Sequence, residues 1–417
     1  MPNVPIVLLM LVGCMLALKW WQKRVNPHPE LARKLMHIAT GLVALTFPVL
    51  LQDSKAVWLA CSLAIIMLLL QKFFKPLKAL GSVLNSVERV SLGDVYFLIS
   101  IALIYQLAPE PIYFMVPVLV LTLADALAAL IGVRYGQTRY FVAKDQKSLE
   151  GSAAFFLVAF LSTHIPLLLS NATGRLESLL IAVLVGLVIM IIEAISWEGL
   201  DNLFIPYGTL VVLRGHVGDP PMTMVYDLLG LLGIALVTIS LRKKTRLDHG
   251  GLMAAILMGF IVYSIAGVKW LVAPVILLVC YIVLRRPLGM HSSSVKNVAV
   301  VCIPPTIWML ISIYGMAPVP TQPLFYVYSL SIATQAAAMS GRSLPDLRQV
   351  MGSVPLIVLL FFTPYLALGG PFSVSRLLVF VVACLLPAVL SYRLRKRSLE
   401  YHSAFAAFSS LLGLVIL

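Results

Sequence analysis

Apolar runs of about 15–20 residues recur along the whole of this 417-residue chain. Inside hydrocarbon each backbone N–H and C=O must find its partner within the chain, and a run of this length does so as a helix. Charged residues make up only 12% of the sequence, against about 25% in soluble domains, so a water-soluble globular fold is excluded. The expected fold class is an all-α polytopic integral membrane protein with about 14–16 transmembrane helices. The shortest run, 203–213, is broken by Pro206 and is short enough to be re-entrant, but the parity of the basic loops favours a real crossing.

The net charge of +14 would suit a nucleic-acid partner, but no basic–aromatic pattern accompanies it. The basic residues gather instead in short loops: 19–34, 72–78, 134–147, 242–246, 285–296, 342–348 and 393–397. If the N-terminus starts outside and every run crosses, including 203–213, all these loops fall on one side. That is the cytoplasmic side by the positive-inside rule. No nucleic-acid partner is expected. The cysteines (Cys14, Cys61, Cys280, Cys302, Cys384) lie singly in apolar runs and lack metal or redox spacing. Met1 leads almost directly into an apolar segment with no Arg/Ser-rich stretch before it, so neither cleavage nor organelle import is expected. The location implied is a multi-pass protein of a bacterial inner membrane.

The chemistry concentrates between Asp125 and Ser152. Asp125 is a carboxylate within the apolar run 116–131, where an ionisable group is expensive and points to function. A basic, glycine-punctuated segment follows, with Gly132, Arg134, Gly136, Arg139 and Lys144. It closes on Lys147, Ser148, Glu150, Gly151 and Ser152, at the start of the next helix, where N–H groups and the helix dipole favour a phosphate. Acids to hold a metal, cations to hold phosphates and glycines to admit backbone N–H groups suit a nucleotide–Mg2+ site. No Walker A sequence is present, so the site is not a P-loop.

Three further clusters flank this stretch. Arg33, Lys34 and His37 share a helix face through their spacings of three and four. Arg89, Gly93, Asp94 and Tyr96 place an acid at a helix start, where a simple cap is the plainer reading. Glu193 ends an apolar run, and Glu198, Asp201 and Asn202 precede Pro206. Every such candidate precedes a boundary at 242–250, so residues 1–245 are expected to form the catalytic membrane domain. Residues 246–417 would form a second, non-catalytic helical domain. A faint repeat relates 123–132 to 332–341 and places Thr334 or Gln335 opposite Asp125, as a degenerate duplicate would, and the two halves would then be structurally related.

Taken together and in this order, the clusters resemble the phytol kinase and dolichol kinase family of polyprenol kinases, over about residues 30–215. The matching residues are Arg33, Lys34, His37 and Gly41; Arg89, Gly93, Asp94 and Tyr96; Asp125, Ala126, Gly132 and Gly136; Lys147, Ser148, Glu150, Gly151 and Ser152; and Glu193, Asp201, Asn202 and Pro206. Asp94 stands where the family more often has Glu, and the second half has no counterpart in typical members. The resemblance implies a membrane enzyme that phosphorylates a long-chain isoprenoid alcohol such as phytol, farnesol, geranylgeraniol or dolichol. CTP, or another nucleoside triphosphate such as UTP or ATP, would be the donor, and an oligomer is compatible with it. Asp125 and Glu150, with Asp94, would hold Mg2+. Arg33, Lys34, Arg134, Lys147 and Asn202 would face the nucleotide. Asp201 or Glu193 would activate the alcohol, with His37 as an alternative base. A cytidylyltransferase making a CDP-activated lipid, an ion-coupled transporter using Asp125 and Glu193, and a non-catalytic scaffold are the competing readings.

Overall fold

The structure is a computed structural model that describes residues 3–73, 92–108, 110–142, 145–245, 247–284, 295–314, 321–395 and 397–416. The sequence cluster's Arg89 and Lys144 lie outside the described residues. Helices account for nearly all of it. α1 (Val4–Val25), α2 (Pro29–Leu45), α3 (Phe47–Leu50), α4 (Ser54–Phe73), α5 (Gly93–Leu107) and α6 (Pro111–Leu119) come first. A π-helical turn, Val120–Ala124, joins α6 to α7 (Asp125–Tyr135). Strands β1 (Arg139–Val142) and β2 (Asp145–Ser148) lead to α8 (Leu149–Leu169), α9 (Arg175–Ile195), α10 (Asp201–His216) and α11 (Pro221–Ser240). The remainder comprises α12 (Arg242–Thr245), α13 (His249–Ala266), α14 (Val272–Leu284), α15 (Val295–Tyr314), α16 (Thr321–Ser343), α17 (Leu347–Ala367), α18 (Val374–Arg393) and α19 (Leu399–Ser410).

Among the described residues, eight helical rods are long and apolar enough to cross a membrane: α1, α6 continuous with α7, α8, α9, α11, α13, α17 and α18. Shorter apolar helices cover Ser54–Leu70, Gly93–Leu107, Val268–Leu284 and Val295–Leu310. The all-α polytopic class therefore holds. Two local features differ from the sequence expectation. Strands β1 and β2 pair antiparallel, Tyr140 with Lys147 and Phe141 with Gln146. The alternation along β1 buries Tyr140 and Val142 while Arg139 and Phe141 face out. Secondly, α10 is not broken at Pro206 but runs unbroken from Asp201 to His216. Proline removes one N–H from the helix ladder and is tolerated where neighbouring groups relieve the loss.

The chain divides into two compact units, Met1–Leu228 and Leu229–Leu417, with the division inside α11, upstream of the basic loop 242–246. In the second unit α16 is the central helix. Tyr326, Tyr328, Leu330, Ile332, Ala333, Ala336 and Ala337 are all buried, and α16 packs against α14, α15, α17, α18 and α19. Among its described residues no Asp or Glu is buried. The first unit holds the buried acid predicted from sequence.

Candidate active site

Asp125 starts α7 immediately after the π turn. A π turn inserts a residue into the helix and leaves backbone carbonyls open to partners from other helices. One such carbonyl, that of Leu121, faces His37 Nε2 at 3.1 Å. A carbonyl can only accept, so that ring nitrogen carries the proton. The same nitrogen lies 3.6 Å from Asp125 Oδ2, and the His37 ring stands edge-on to Phe97 at 5.0 Å. Lys34, one turn earlier on the face of α2 that carries His37, donates to Asp125 Oδ2 at 2.7 Å. Both side chains of this pair are almost fully enclosed, at 4% and 8% exposed. Removing one partner of such a pair strands a charge and costs about 3–5 kcal/mol. Gly41 is what lets α2 lie so close to the π turn. A Cβ there would collide with the Thr122 side chain.

A second ion pair lies at the ends of β2 and α9. Lys147 Nζ meets Glu193 Oε1 at 2.6 Å and also donates to the Glu193 carbonyl. Burial works against the Lys147 ammonium, but the adjacent Glu193 carboxylate and its hydrogen bond outweigh that penalty and raise its pKa above the ordinary lysine value. Lys147 is therefore a fixed cation at working pH. A turn containing Glu198 (φ 56°) and Gly199 (φ 86°) then reverses the chain from α9 into α10. It delivers Asp201 to the same region, within electrostatic reach of Asp125, Lys34, Lys147 and His37. Asp201 Oδ1, Asn202 Oδ1 and Thr122 Oγ1 are buried with no hydrogen-bond partner among the described residues. Buried polar atoms are almost always satisfied, so Asp201 Oδ1 and Asn202 Oδ1, on adjacent residues at the start of α10, stand out as acceptors free to bind a polar group.

The structure thus brings together Lys34, His37, Asp125, Lys147, Glu193, Asp201 and Asn202. It sets other candidates apart. Arg33 is held by Glu30 through two contacts, Nη2–Oε1 at 2.6 Å and Nε–Oε2 at 3.0 Å, at the rim. Asp94 is exposed in the first turn of α5 and acts electrostatically on Arg33. Glu150 accepts from the Thr138 N–H at 3.1 Å rather than facing Asp125. Arg134 is exposed and lies 5.3 Å over the Tyr135 ring. Ser148 caps α8 by accepting from Gly151 N–H at 3.1 Å, and Ser152 bonds Tyr140 at 2.7 Å. Gly132, Gly136 and Gly151 serve the close packing of α7 on α8. A Cβ on Gly151 would stand 3.1 Å from the Ala128 carbonyl and 3.3 Å from Gly132 Cα.

Sequence reasoning missed Thr122, Glu30 and Tyr140. Thr122 is an ordinary residue in an apolar helix and gives no signal, whereas Glu30 stands three residues before Arg33 and was legible as its partner. No group of three or more His, Cys, Asp and Glu side chains converges among the described residues. Asp125 and Asp201 are the two carboxylates that influence each other electrostatically in this region. One or two carboxylates suit Mg2+, which completes its shell with water and substrate phosphates.

Over 187 residues, 44% of this chain and 78% of the relative, the sequence is 32% identical to a phytol kinase from Synechocystis sp.. No family model matches the chain, and no solved structure matches it.

Proposed function

The chain belongs to the phytol kinase family, and on that premise we propose that it transfers the γ-phosphoryl group of a nucleoside triphosphate, CTP for preference, to the hydroxyl of a long-chain isoprenoid alcohol of the phytol type. The single observation that supports placing this reaction at Asp125 is the buried acid clamped by Lys34 beside the unpaired carboxylate oxygen of Asp201. Phosphoryl transfer asks a protein mainly to position its reactants and neutralise charge. In the balanced reaction the alcohol oxygen bonds to the γ-phosphorus, the bond to the β,γ-bridging oxygen breaks, and the hydroxyl proton leaves. The products are a prenyl monophosphate and a nucleoside diphosphate.

Each residue has a part in this. Asp201, with one oxygen unengaged, accepts the hydroxyl proton or orients the hydroxyl, and the adjacent Asn202 offers a further polar contact. Glu193 is committed to Lys147, so it positions that cation rather than acting as the base. Lys147 holds the nucleotide phosphates, with Arg33 supporting them from the rim. His37 donates through Nε2 and orients Asp125, which argues against its use as the base. Mg2+, held by Asp125 with the nucleotide's own phosphates, would supply charge neutralisation at the γ-phosphate. The glycine-lined approach of α7 to α8 fixes the start of α8, and Glu150 braces the turn before it. The alcohol's chain would lie among the apolar helices with its hydroxyl at the cytoplasmic rim. The second unit has no buried carboxylate among its described residues, which supports a non-catalytic role for it.

The test uses the full chain in lipid vesicles with phytol, farnesol, geranylgeraniol or dolichol, and CTP, UTP or ATP labelled at the γ-position. Label in the prenyl monophosphate with release of the nucleoside diphosphate is expected. Release of pyrophosphate with a nucleotide-bearing lipid would replace this reading with a cytidylyltransferase. Absence of both, with no nucleotide binding, would leave ion-coupled transport or a scaffold.

A further inference from the structure

The second unit carries a cluster of cations that the transfer reaction does not use. Arg395 fixes its geometry. Its guanidinium reaches the carbonyls of Gly341 (3.3 Å), Leu344 and Pro345 (3.4 Å), capping the end of α16, and stacks on Tyr392 at 4.0 Å. The start of α19 is thereby held beside the end of α16, and the two run antiparallel. Gln335 confirms the pairing by donating to the Ser403 carbonyl at 3.2 Å. Arg342 lies two turns beyond Gln335 on the same face of α16. His402, in the first turn of α19, is close enough to feel its charge.

Two nitrogens in this cluster lack a hydrogen-bond partner among the described residues. His402 is 2% exposed; its Nδ1 meets Ser391 Oγ at 3.0 Å and the Arg397 carbonyl flanks the ring, while Nε2 is one of the two. Arg342 Nη1 is likewise buried and unpartnered. Glu400, exposed and hydrogen-bonded to Ser398, acts electrostatically on Arg342 and Lys296. Removing an arginine N–H from water without an acceptor is costly, and a fork of donors of this kind fits an oxyanion.

We propose that Arg342 and His402 form a second binding site, in the Leu229–Leu417 unit, for the phosphate group of a phosphomonoester. Arg342 supplies the charged donor and His402 Nε2 a second one, while Arg395 and Ser391 position them without contacting the ligand. The same head group could arrive free in solution or on a lipid.

The experiment follows His402 directly in the full chain, in phosphatidylcholine nanodiscs with 15N-labelled histidine. The chain has seven histidines, and His402→Gln identifies the signal. One arm titrates inorganic phosphate; the other incorporates phosphatidic acid. A saturable shift of Nε2 is expected in at least one arm, the first indicating a free anion and the second a lipid. Arg342→Gln should weaken it by about tenfold or more, the loss of one charged hydrogen bond. Arg342→Lys, which keeps the charge, should retain part of the response and serves if Arg342→Gln does not fold. No saturable shift in either arm, or an unchanged midpoint in Arg342→Gln, would overturn the site. Neither result depends on the kinase reaction.

Discussion

Lys34 and Asp125 form the most tightly enclosed ion pair near the proposed reaction centre, and their energetics separate folding from catalysis. Lys34→Met strands the Asp125 carboxylate and should lower stability by about 3–5 kcal/mol, read as a fall in the midpoint of thermal unfolding in detergent. Asp201→Asn keeps the shape and removes only the proton acceptor. It should depress kcat by roughly 10²–10⁴-fold, the usual contribution of a positioned base, with the KM for nucleotide little changed. A rise in that KM with kcat intact would move Asp201 to the nucleotide. Lys147 makes a different prediction. Its pKa is raised, so its pairing with Glu193 is fully present below the ordinary lysine value near 10.4 and is lost only as pH rises through the higher folded value. Activity between about pH 6 and 9 should therefore show no titration from Lys147. At this scale the sequence was informative for charged residues and silent for neutral ones. Asp125 stood out because hydrocarbon penalises it, and Lys34 and His37 because their spacing gives them one face. Partners 91 and 46 residues apart, Lys34 with Asp125 and Lys147 with Glu193, exist only once the helices pack.

The elements explain why those side chains meet. The π turn before Asp125 opens the Leu121 carbonyl to His37, and the glycines of α7 and α8 let the two helices touch. Gly151→Val would push its branched side chain into the Ala128 carbonyl and Gly132. Such overpacking should cost about 1–3 kcal/mol and displace the start of α8, cutting transfer while leaving membrane insertion intact. Unchanged activity in that variant would show that the contact is not needed. The helices of this region were legible from their apolar runs. The β1–β2 pairing was not, because four-residue strands with two arginine or lysine residues among them read as a basic loop. Nor was the continuity of α10 through Pro206, since a proline marks a break in sequence and only packing decides whether the helix survives it.

For the molecule as a whole, composition alone gave the membrane class, and the asymmetry of acids between the halves is what suggests a division of labour between them. If the second unit is non-catalytic, Gln335→Ala should leave phosphate transfer unchanged although it removes a buried hydrogen bond to Ser403; loss of transfer in a folded Gln335→Ala protein would bring that unit into the reaction. The measurement that bears most directly on the proposed centre compares the parent with Asp125→Asn, reconstituted in the same vesicles, for transfer of label from γ-labelled CTP to phytol. The isosteric amide keeps the volume and an oxygen to accept from Lys34 but loses the charge, so Asp125→Asn should be less stable than the parent, and the folded, inserted fraction should transfer at least about 10²-fold more slowly. Near-parental transfer by a folded Asp125→Asn protein would contradict the assignment of phosphoryl transfer to this buried acid.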